Sequence, residues 1–437
     1  MLQPIIFCAI LLLTGWIAWK GYGRVWKNIH LGKAEKTGGQ AAERWRNVLL
    51  VALGQQKMFK MTLPAVLHLF IYLAFVITQV ELIEIFVDGL SGQHRTFAPH
   101  LGGFYTIVIS FIEILSILAL VATVIFLARR NVLRLPRFHK PELKGWPFRD
   151  ANLILLGEIL LIIGIFCMNG GDKVLQSRAL DHYRATGAFA VSSWLGPVLF
   201  GAWSDGAVVA AERFGWWLHI LTVFGFLCYL PYSKHLHILL AFPNTWFARL
   251  TPKGQMENMP EVQREVRIMM GLEQPAPDAG AELPEFGAND VFSLSRRNLL
   301  QAYSCTECGR CTAVCPANLT GKKLSPRKIM MDVRDRAEAI GRNIESGKYT
   351  REGYDDGKSL FDSISPEELH ACTTCNACVE ACPVLINPLD IILKMRRYEI
   401  LTQSAGPADW LPMFNAIENN GAAWAMPQER EAWRHNN

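Results

Sequence analysis

Apolar residues in the first 250 positions gather into five runs. They cover residues 2–19, 63–87, 104–128, 151–168 and about 214–242. A helix needs about 20 apolar residues to cross about 30 Å of hydrocarbon, so each run predicts one crossing. A further stretch, 192–211, is interrupted by Gly196, Pro197 and Asp205, and predicts a helix at the outer membrane surface.

The charges between these runs predict an orientation. Residues 20–60 hold nine Lys and Arg against two acids, and residues 129–149 hold seven against one. Residues 88–103 hold only one, Arg95. Basic loops stay on the cytoplasmic side, so the N-terminus is predicted to be periplasmic and everything after the fifth crossing cytoplasmic. The first run has its basic residues after it, which favours a retained helix over a signal peptide. We expect a bacterial inner-membrane protein.

The composition changes after residue 250. Hydrophobic residues make up 51% of the chain, but the excess lies before this point. Pro, Gly and acidic residues around 272–290 predict a linker. The predicted division is a transmembrane domain (1–250), a linker (251–292), a cysteine-containing domain (293–403) and a tail (404–437). The net charge of +5 is modest and gives no reason to expect nucleic acid as a partner.

Eight of the eleven cysteines form two copies of Cys-x-x-Cys-x-x-Cys-x-x-x-Cys-Pro. This spacing is typical of paired [4Fe–4S] clusters, in which the fourth cysteine of each motif binds the other cluster. Cluster one is predicted to use Cys305, Cys308, Cys311 and Cys382. Cluster two is predicted to use Cys372, Cys375, Cys378 and Cys315. Zinc sites usually show two separated Cys-x-x-Cys pairs, and no Cys-x-x-Cys-His occurs for covalent haem.

The insert between the two motifs predicts helices. Ser325-Pro326 begins one helix, and Ser365 opens a capping box with Glu368. Asn387-Pro388 begins another helix after the second motif. The predicted fold class is therefore all-α: a five-helix transmembrane bundle followed by a cytoplasmic α-helical ferredoxin domain.

Three histidines in or near the apolar runs are candidate haem ligands. On a continuous helix, the step from His219 to His237 makes five whole turns and puts both rings on one face, about 27 Å apart along the axis. His68 matches His237 in depth, so these two are predicted to bind one haem b. On that same helix His235 points about 160° away and is a poorer candidate. A second haem would need a partner for His219 from His94, His100 or His182; otherwise His219 serves a quinone or proton path.

Acidic residues within the runs are candidates for proton transfer. Ionisable groups at membrane depth are costly and usually face the bundle interior. Glu81, Glu113 and Glu158 are the candidates for a proton or quinone path. Glu84 is as well explained by a side chain reaching the membrane surface.

These residues carry a resemblance to known families. The five-helix part, with His68, His219, His237 and the run LPYSKHLHI, resembles the cytochrome b subunit of respiratory nitrate reductase. That family usually holds two haems, but here Thr78 lies near the position of a second ligand on the second helix. The cysteine part resembles the two-cluster domain of heterodisulfide reductase-like proteins. Together they look like membrane-bound iron–sulfur oxidoreductases that link electron-transfer flavoprotein to menaquinone.

The resemblance also implies a partner. Larger relatives continue into cysteine-rich repeats with a Cys-Cys pair, which this sequence lacks, so we expect that module as a separate cytoplasmic subunit. Trp and Arg are frequent interface anchors, and four in the tail are candidates for docking it. They are Trp410, Trp424, Arg430 and Trp433. The alternative is that these tryptophans pack on the chain's own core.

The predicted function is therefore electron transfer between a cytoplasmic iron–sulfur or flavoprotein partner, two clusters, haem b and membrane quinone. The chain would be an oxidoreductase subunit that is active with its partner. The alternative is a redox-sensing membrane protein without quinone turnover. A structural anchor with vestigial clusters ranks last, because all eight cysteines are present in order.

Overall fold

The computed structural model describes residues 2–35, 39–274, 285–424 and 431–434. It is 69% helical and contains no strand in those ranges, apart from one isolated bridge between Lys33 and Ser295. The all-α prediction is confirmed. The α-helices are α1 Leu2–Ile29, α2 Ala41–Asn47, α3 Thr62–Ile77, α4 Gln79–Ser91, α5 Ala98–Leu101, α6 Gly103–Asn131, α7 Trp146–Ser177, α8 Ser192–Phe200, α9 Asp205–Tyr229, α10 His237–Trp246, α11 Pro260–Met269, α12 Arg296–Tyr303, α13 Arg310–Ala313, α14 Pro316–Leu319, α15 Pro326–Glu345, α16 Pro366–His370, α17 Ala377–Ala381, α18 Pro388–Arg397 and α19 Trp410–Asn420.

Five of the described helical stretches are long and apolar enough to cross a membrane. They are Leu2–Ile29, Thr62–Ser91, Gly103–Asn131, Trp146–Ser177 and Asp205–Tyr232. Successive crossings run in opposite directions. We call the end of the bundle at Ile29, Thr62 and Tyr229 the proximal end, and the opposite end the distal end.

Helices α7 and α9 of the bundle pack closely, and glycines permit it. A Cβ atom on Gly215 would lie 2.5 Å from the Met168 backbone nitrogen, and one on Gly164 would lie 2.9 Å from the His219 backbone nitrogen. The two backbones are therefore in direct contact, which fixes the depth of His219 against α7.

The expected single helix over 214–242 is wrong. Helix α9 ends at Tyr229, and two short 3-10 turns, Leu230–Tyr232 and Lys234–Leu236, lead into α10. Pro231 cannot donate a backbone hydrogen bond. Asp150 on α7 instead binds the interrupted segment, accepting from Ser233 Oγ (2.6 Å) and from the Lys234 backbone N–H (3.1 Å).

The distal end is closed by a buried polar network centred on Arg95. Its guanidinium donates to Tyr105 Oη (3.0 Å) and contacts Asp172 (3.3 Å) and Glu81 (3.4 Å). Tyr105 in turn donates to Glu84 (2.6 Å). Charges buried this deeply persist only when they are paired, so the network holds the loop after α4 onto α6 and α7.

Residues 285–402, here called the cluster region, pack on the proximal end around helix α15. Their apolar core includes Leu299, Ile329 and Val333. The same core continues into the bundle through Val25 and Leu236. The cluster region therefore shares its core with the membrane helices. Ala288 and Val291, within the predicted linker, are fully buried there.

Candidate redox-cofactor sites

The two cysteine motifs fold into matching loops. In the first motif, Glu307 and Gly309 have φ of 55° and 73°; in the second, Thr374 and Asn376 have φ of 57° and 62°. These residues occupy the same two positions between the first three cysteines of each motif. Left-handed backbone at alternate positions turns the chain tightly, so the three thiols of each loop line one concave surface.

One cysteine of the other motif lies beside each concave surface, so that four thiols surround a cavity. We call each set of four a cysteine ring. One cavity is bordered by Cys305, Cys308, Cys311 and Cys382. A second cavity is bordered by Cys315, Cys372, Cys375 and Cys378. These are the two sets that the spacing predicts. Cys378 borders both cavities, so the cavities are neighbours.

The cysteines are spread around these cavities and do not converge on a point. Nowhere in the described part of the chain do three Cys, His, Asp or Glu side chains come close enough to share a single metal ion. Cysteine thiols are the ligands of iron–sulfur clusters, and hydrogen bonds to the sulfurs tune such clusters. The Ile386 backbone nitrogen lies 3.3 Å from Cys382 Sγ.

Both cysteine loops contact the segment before α3, but only the second ring has an exposed cysteine. Cys375 is exposed, whereas Cys305 is buried. In the first loop, Arg310 donates to the backbone oxygen of Met58 (3.1 Å), in the segment just before α3.

A buried carboxylate ties the first loop to the proximal end. Glu307 pairs with Arg334 at 2.9 Å and with Lys234, which lies in the turn before His237. Burial alone would raise the pKa of Glu307, but these two cations outweigh it and lower the pKa. The sequence prediction did not include Glu307 or Lys234, because neither belongs to a motif.

His68 and His237 come together at the proximal end. Their ring centres lie 6.5 Å apart and their planes are inclined by 46°. A metal–imidazole bond is about 2 Å long, so two rings sharing one metal on a common axis have centres about 6 Å apart. The separation of the two rings therefore fits an iron held between them. The pairing does not require the single helix from His219 to His237 that the sequence analysis assumed, which is absent.

The outer nitrogens of both rings are already engaged. His68 Nδ1 lies 3.1 Å from Gln55 Oε1, and His237 Nδ1 lies 3.1 Å from the Lys234 carbonyl oxygen. Histidines that bind metals usually donate their other ring N–H in this way. Nε2 is thus the nitrogen that each ring would offer to an iron.

His235 lies in the same place, contrary to the predicted 160° separation. Its ring centre is 5.8 Å from that of His237, and its Nε2 is 4.0 Å from Glu158 Oε1. Its Nδ1 is buried and has no hydrogen-bond partner within the described ranges. The break in the helix after Tyr229 places it there, and the sequence could reveal this only through Pro231.

The remaining histidine candidates are separated. His219 Nδ1 lies 3.0 Å from the Leu161 carbonyl oxygen on α7. His94 and His182 lie together at the distal end with ring centres 5.5 Å apart, and His94 contacts Asp172. His100 lies on the short distal helix α5.

The acidic candidates divide between the two ends. Glu81 is held by Arg95, and Glu113 accepts from the Val191 backbone N–H (2.7 Å), so both belong to the distal closure. Glu158 alone lies near the proximal histidines.

The tail residues also divide. Trp410 packs edge-on against His370 at 4.8 Å, whereas Trp424 and Trp433 are exposed. Arg430 lies outside the described residues.

Comparisons with known proteins agree with the cysteine geometry. Residues 304–386 match the family model of the 4Fe-4S dicluster domain. The chain is 28% identical, over 93% of its length, to a probable iron-sulfur-binding oxidoreductase, FadF, of Bacillus subtilis. It is 26% identical, over 92% of its length, to the EtfAB:quinone oxidoreductase of Syntrophomonas wolfei.

A probable membrane-anchored ferredoxin of Chromohalobacter salexigens is 35% identical over 33% of this chain and 23% of its own length. The chain spans only 57% and 56% of the two longer relatives. No solved structure matches it. The chain thus carries a 4Fe-4S dicluster domain and is related to iron–sulfur oxidoreductases.

Proposed function

We propose that this chain passes electrons from a soluble partner through two [4Fe–4S] clusters and one haem b to a membrane quinone, with menaquinone as the acceptor. The relative named EtfAB:quinone oxidoreductase supports electron-transfer flavoprotein as the donor. Shorter relatives from Methanosarcina, named as components of CoB-CoM heterodisulfide reductases, support a separate heterodisulfide reductase-like protein in between.

One observation carries the proposal: the loop of the first cysteine ring contacts the segments that lead into His68 and His237. Arg310, between Cys308 and Cys311, reaches the segment that leads into the His68 helix. Lys234, which accepts His237 Nδ1–H at its carbonyl oxygen, pairs through its ammonium with Glu307 of the same loop. The segments that precede both proposed haem ligands are therefore bonded to the first cysteine loop.

The exposure of the cysteines supports an order for the centres. Cys375 of cluster two is exposed, so a soluble partner can approach cluster two. Cluster one then stands between cluster two and haem b. Trp424 and Trp433 supply exposed anchors for that partner.

Quinone reduction also consumes protons, which the chain must deliver. Quinone takes two electrons and two protons to become quinol. Glu158 lies within the membrane part and beside His235, so it supports proton delivery near haem b. The distal acids are already held by Arg95 and by backbone N–H groups and play no part in this proposal. For His219, which we do not assign to a second haem, we propose a contact with quinone.

The test uses the purified full chain in nanodiscs without oxygen. Dithionite reduces the chromophores, and a menaquinone analogue is then added while the haem α-band and the cluster electron paramagnetic resonance (EPR) signals are recorded. We expect reoxidation of both. Reversible reduction by dithionite with no reoxidation by the quinone would contradict the proposal and favour redox sensing.

We also propose an orientation in the bacterial inner membrane. Nine Lys and Arg between residues 20 and 60 support a cytoplasmic proximal end. A reporter active only in the cytoplasm, fused after Arg434, should be active, and one fused before Leu2 should be silent. The reverse result would place the clusters in the periplasm and overturn this orientation.

A further inference from the structure

One cavity at the proximal end is lined by none of the cysteines or histidines of the redox sites. It measures about 550 Å³, in the usual range for a site that binds a small molecule. Three separate parts of the chain form its walls: residues 43–57, residues 248–256 and residues 374–393. The last of these begins within the loop around cluster two.

The charge of the lining favours an anion. Four cations border the cavity, Arg46, Lys57, Arg249 and Lys253, against two carboxylates, Glu43 and Asp390. Asp390 is itself paired with Lys394 at 3.3 Å, and Lys253 is paired with Glu380, and both of these partners lie outside the lining. The lining keeps two more cations than carboxylates, so the cavity is electropositive.

The position of the cavity favours a lipid. Its wall at residues 43–53 belongs to a helical segment whose outer side carries exposed Trp45 and Leu49. The Trp45 ring packs edge-on against Trp246 at 4.8 Å. Tryptophan is enriched at the membrane–water interface, at the level of the lipid headgroups. Leu50, Val51 and Leu250 add an apolar part to the lining, where acyl chains can begin.

We infer that this cavity binds the phosphate headgroup of an anionic phospholipid. Basic pockets beside membrane helices are known to take such headgroups. The bound phosphate would bridge Arg46, on the helical segment between the first two crossings, and Lys253, on the wall formed by residues 248–256. A lipid would thereby fasten the cluster region to the bundle. This inference does not depend on haem or quinone.

The test compares thermal unfolding of the full chain in three settings: phosphatidylcholine nanodiscs, the same nanodiscs with phosphatidylglycerol, and phosphatidylcholine nanodiscs with inorganic phosphate. We expect phosphatidylglycerol to raise the unfolding midpoint and the double variant R46Q/K253Q to lose most of that rise. R129Q/K144Q removes the same charge at the same end, outside the cavity, and should keep the rise.

Native mass spectrometry gives a readout that does not depend on stability. Wild type and R129Q/K144Q should retain phosphatidylglycerol after release from nanodiscs, and R46Q/K253Q should lose it. Equal retention by all three proteins would overturn the inference. An equal rise from inorganic phosphate alone would also overturn it, because the site would then take a free ion.

Discussion

His237 has two other histidines as neighbours, and the identity of its partner decides what the proximal site can hold. The His68 ring lies 6.5 Å away on a different helix, whereas the His235 ring lies 5.8 Å away on the same segment of chain. Of these two neighbours, only His68 has a hydrogen-bonded Nδ1, as metal-binding histidines usually do, and its partner is Gln55. His68 is therefore the better partner.

Histidine substitutions test this choice. If the proposed haem is present, His68→Ala and His237→Ala should each lose nearly all of it, since each would remove one of the two proposed ligands. His235→Ala should keep its haem. A pyridine haemochrome assay on protein with unchanged iron–sulfur content makes the measurement, and loss of haem from His235→Ala alone would reverse the assignment.

A second residue-scale prediction concerns Glu142 and Arg327. The Arg327 side chain is 1% exposed and donates to Glu142 at 2.7 Å. Burial would raise the pKa of Glu142, but the hydrogen bonds and charge of Arg327 outweigh it and lower the pKa. A carboxylate with a lowered pKa stabilises the fold above the ordinary carboxyl pKa of about 4, and this contribution is lost as pH falls through the lowered value.

Glu142→Gln should therefore unfold at a lower temperature than wild type at neutral pH, and the difference should shrink in acid below about pH 4. Glu367→Gln is the control, because its pair with Lys323 is exposed. The unfolding temperature of Glu367→Gln should match that of wild type at every pH. Any effect of acid on the clusters would then appear equally in all the proteins and drop out of the difference between them. A Glu142→Gln difference that stays constant with pH would exclude this account.

At the scale of elements, the contact between α7 and α9 rests on glycine. Gly215→Ala would force a Cβ atom to within 2.5 Å of the Met168 backbone nitrogen, whereas a Cβ on Gly225 of the same helix meets nothing within 4 Å. We expect Gly215→Ala to cost about 1–3 kcal/mol of stability and Gly225→Ala to cost nothing measurable. Denaturant unfolding followed by tryptophan fluorescence compares the two, and equal stabilities would argue against the close contact.

The crossing of the two cysteine motifs gives another prediction for paired elements. Cys315→Ser should perturb cluster two, and Cys382→Ser should perturb cluster one, although each lies in the opposite motif. EPR spectra and iron content of the reduced variants distinguish the clusters. If each substitution perturbed the cluster of its own motif, the rings seen in the structure would not be the ligand sets.

The sequence predicts the elements better than it predicts their ends. Five crossings follow from apolar runs, and the ligand sets follow from cysteine spacing, because both are local patterns. The break after Tyr229 depends on Asp150, which lies 79 residues earlier and has no local signal. Arg95 is similar: its position in the sequence marks a loop, and only the fold buries it among Glu81, Tyr105 and Asp172.

At the scale of the whole molecule, cluster binding and membrane packing are coupled. Cys305, Cys315 and Cys382 belong to the same apolar core as Val25 and Leu236 of the bundle. Because metal binding is coupled to folding, a bound cluster stabilises the region that supplies its ligands. Removal of the clusters should therefore loosen the proximal end as well as residues 285–402.

Hydrogen exchange on the cluster-free protein in nanodiscs measures this coupling. We expect faster exchange over residues 285–402 and 230–236, and unchanged exchange around Arg95 at the distal end. A variant with both rings intact, Cys8→Ser, is the matched thiol control and should exchange like wild type. Uniform acceleration over the whole chain would mean that the bundle itself depends on the clusters.

The shared core also limits how this protein can be regulated. Many redox proteins carry a mobile domain that travels between its donor and its acceptor. Here Val25, Leu31, Leu230 and Leu236 are buried against the cluster region, so any such swing would expose apolar surface from both sides. The two cysteine rings and the His68–His237 pair must keep one separation. If the proposed function holds, control of electron flow would fall to the arrival of the partner and of the acceptor, and not to movement within the chain.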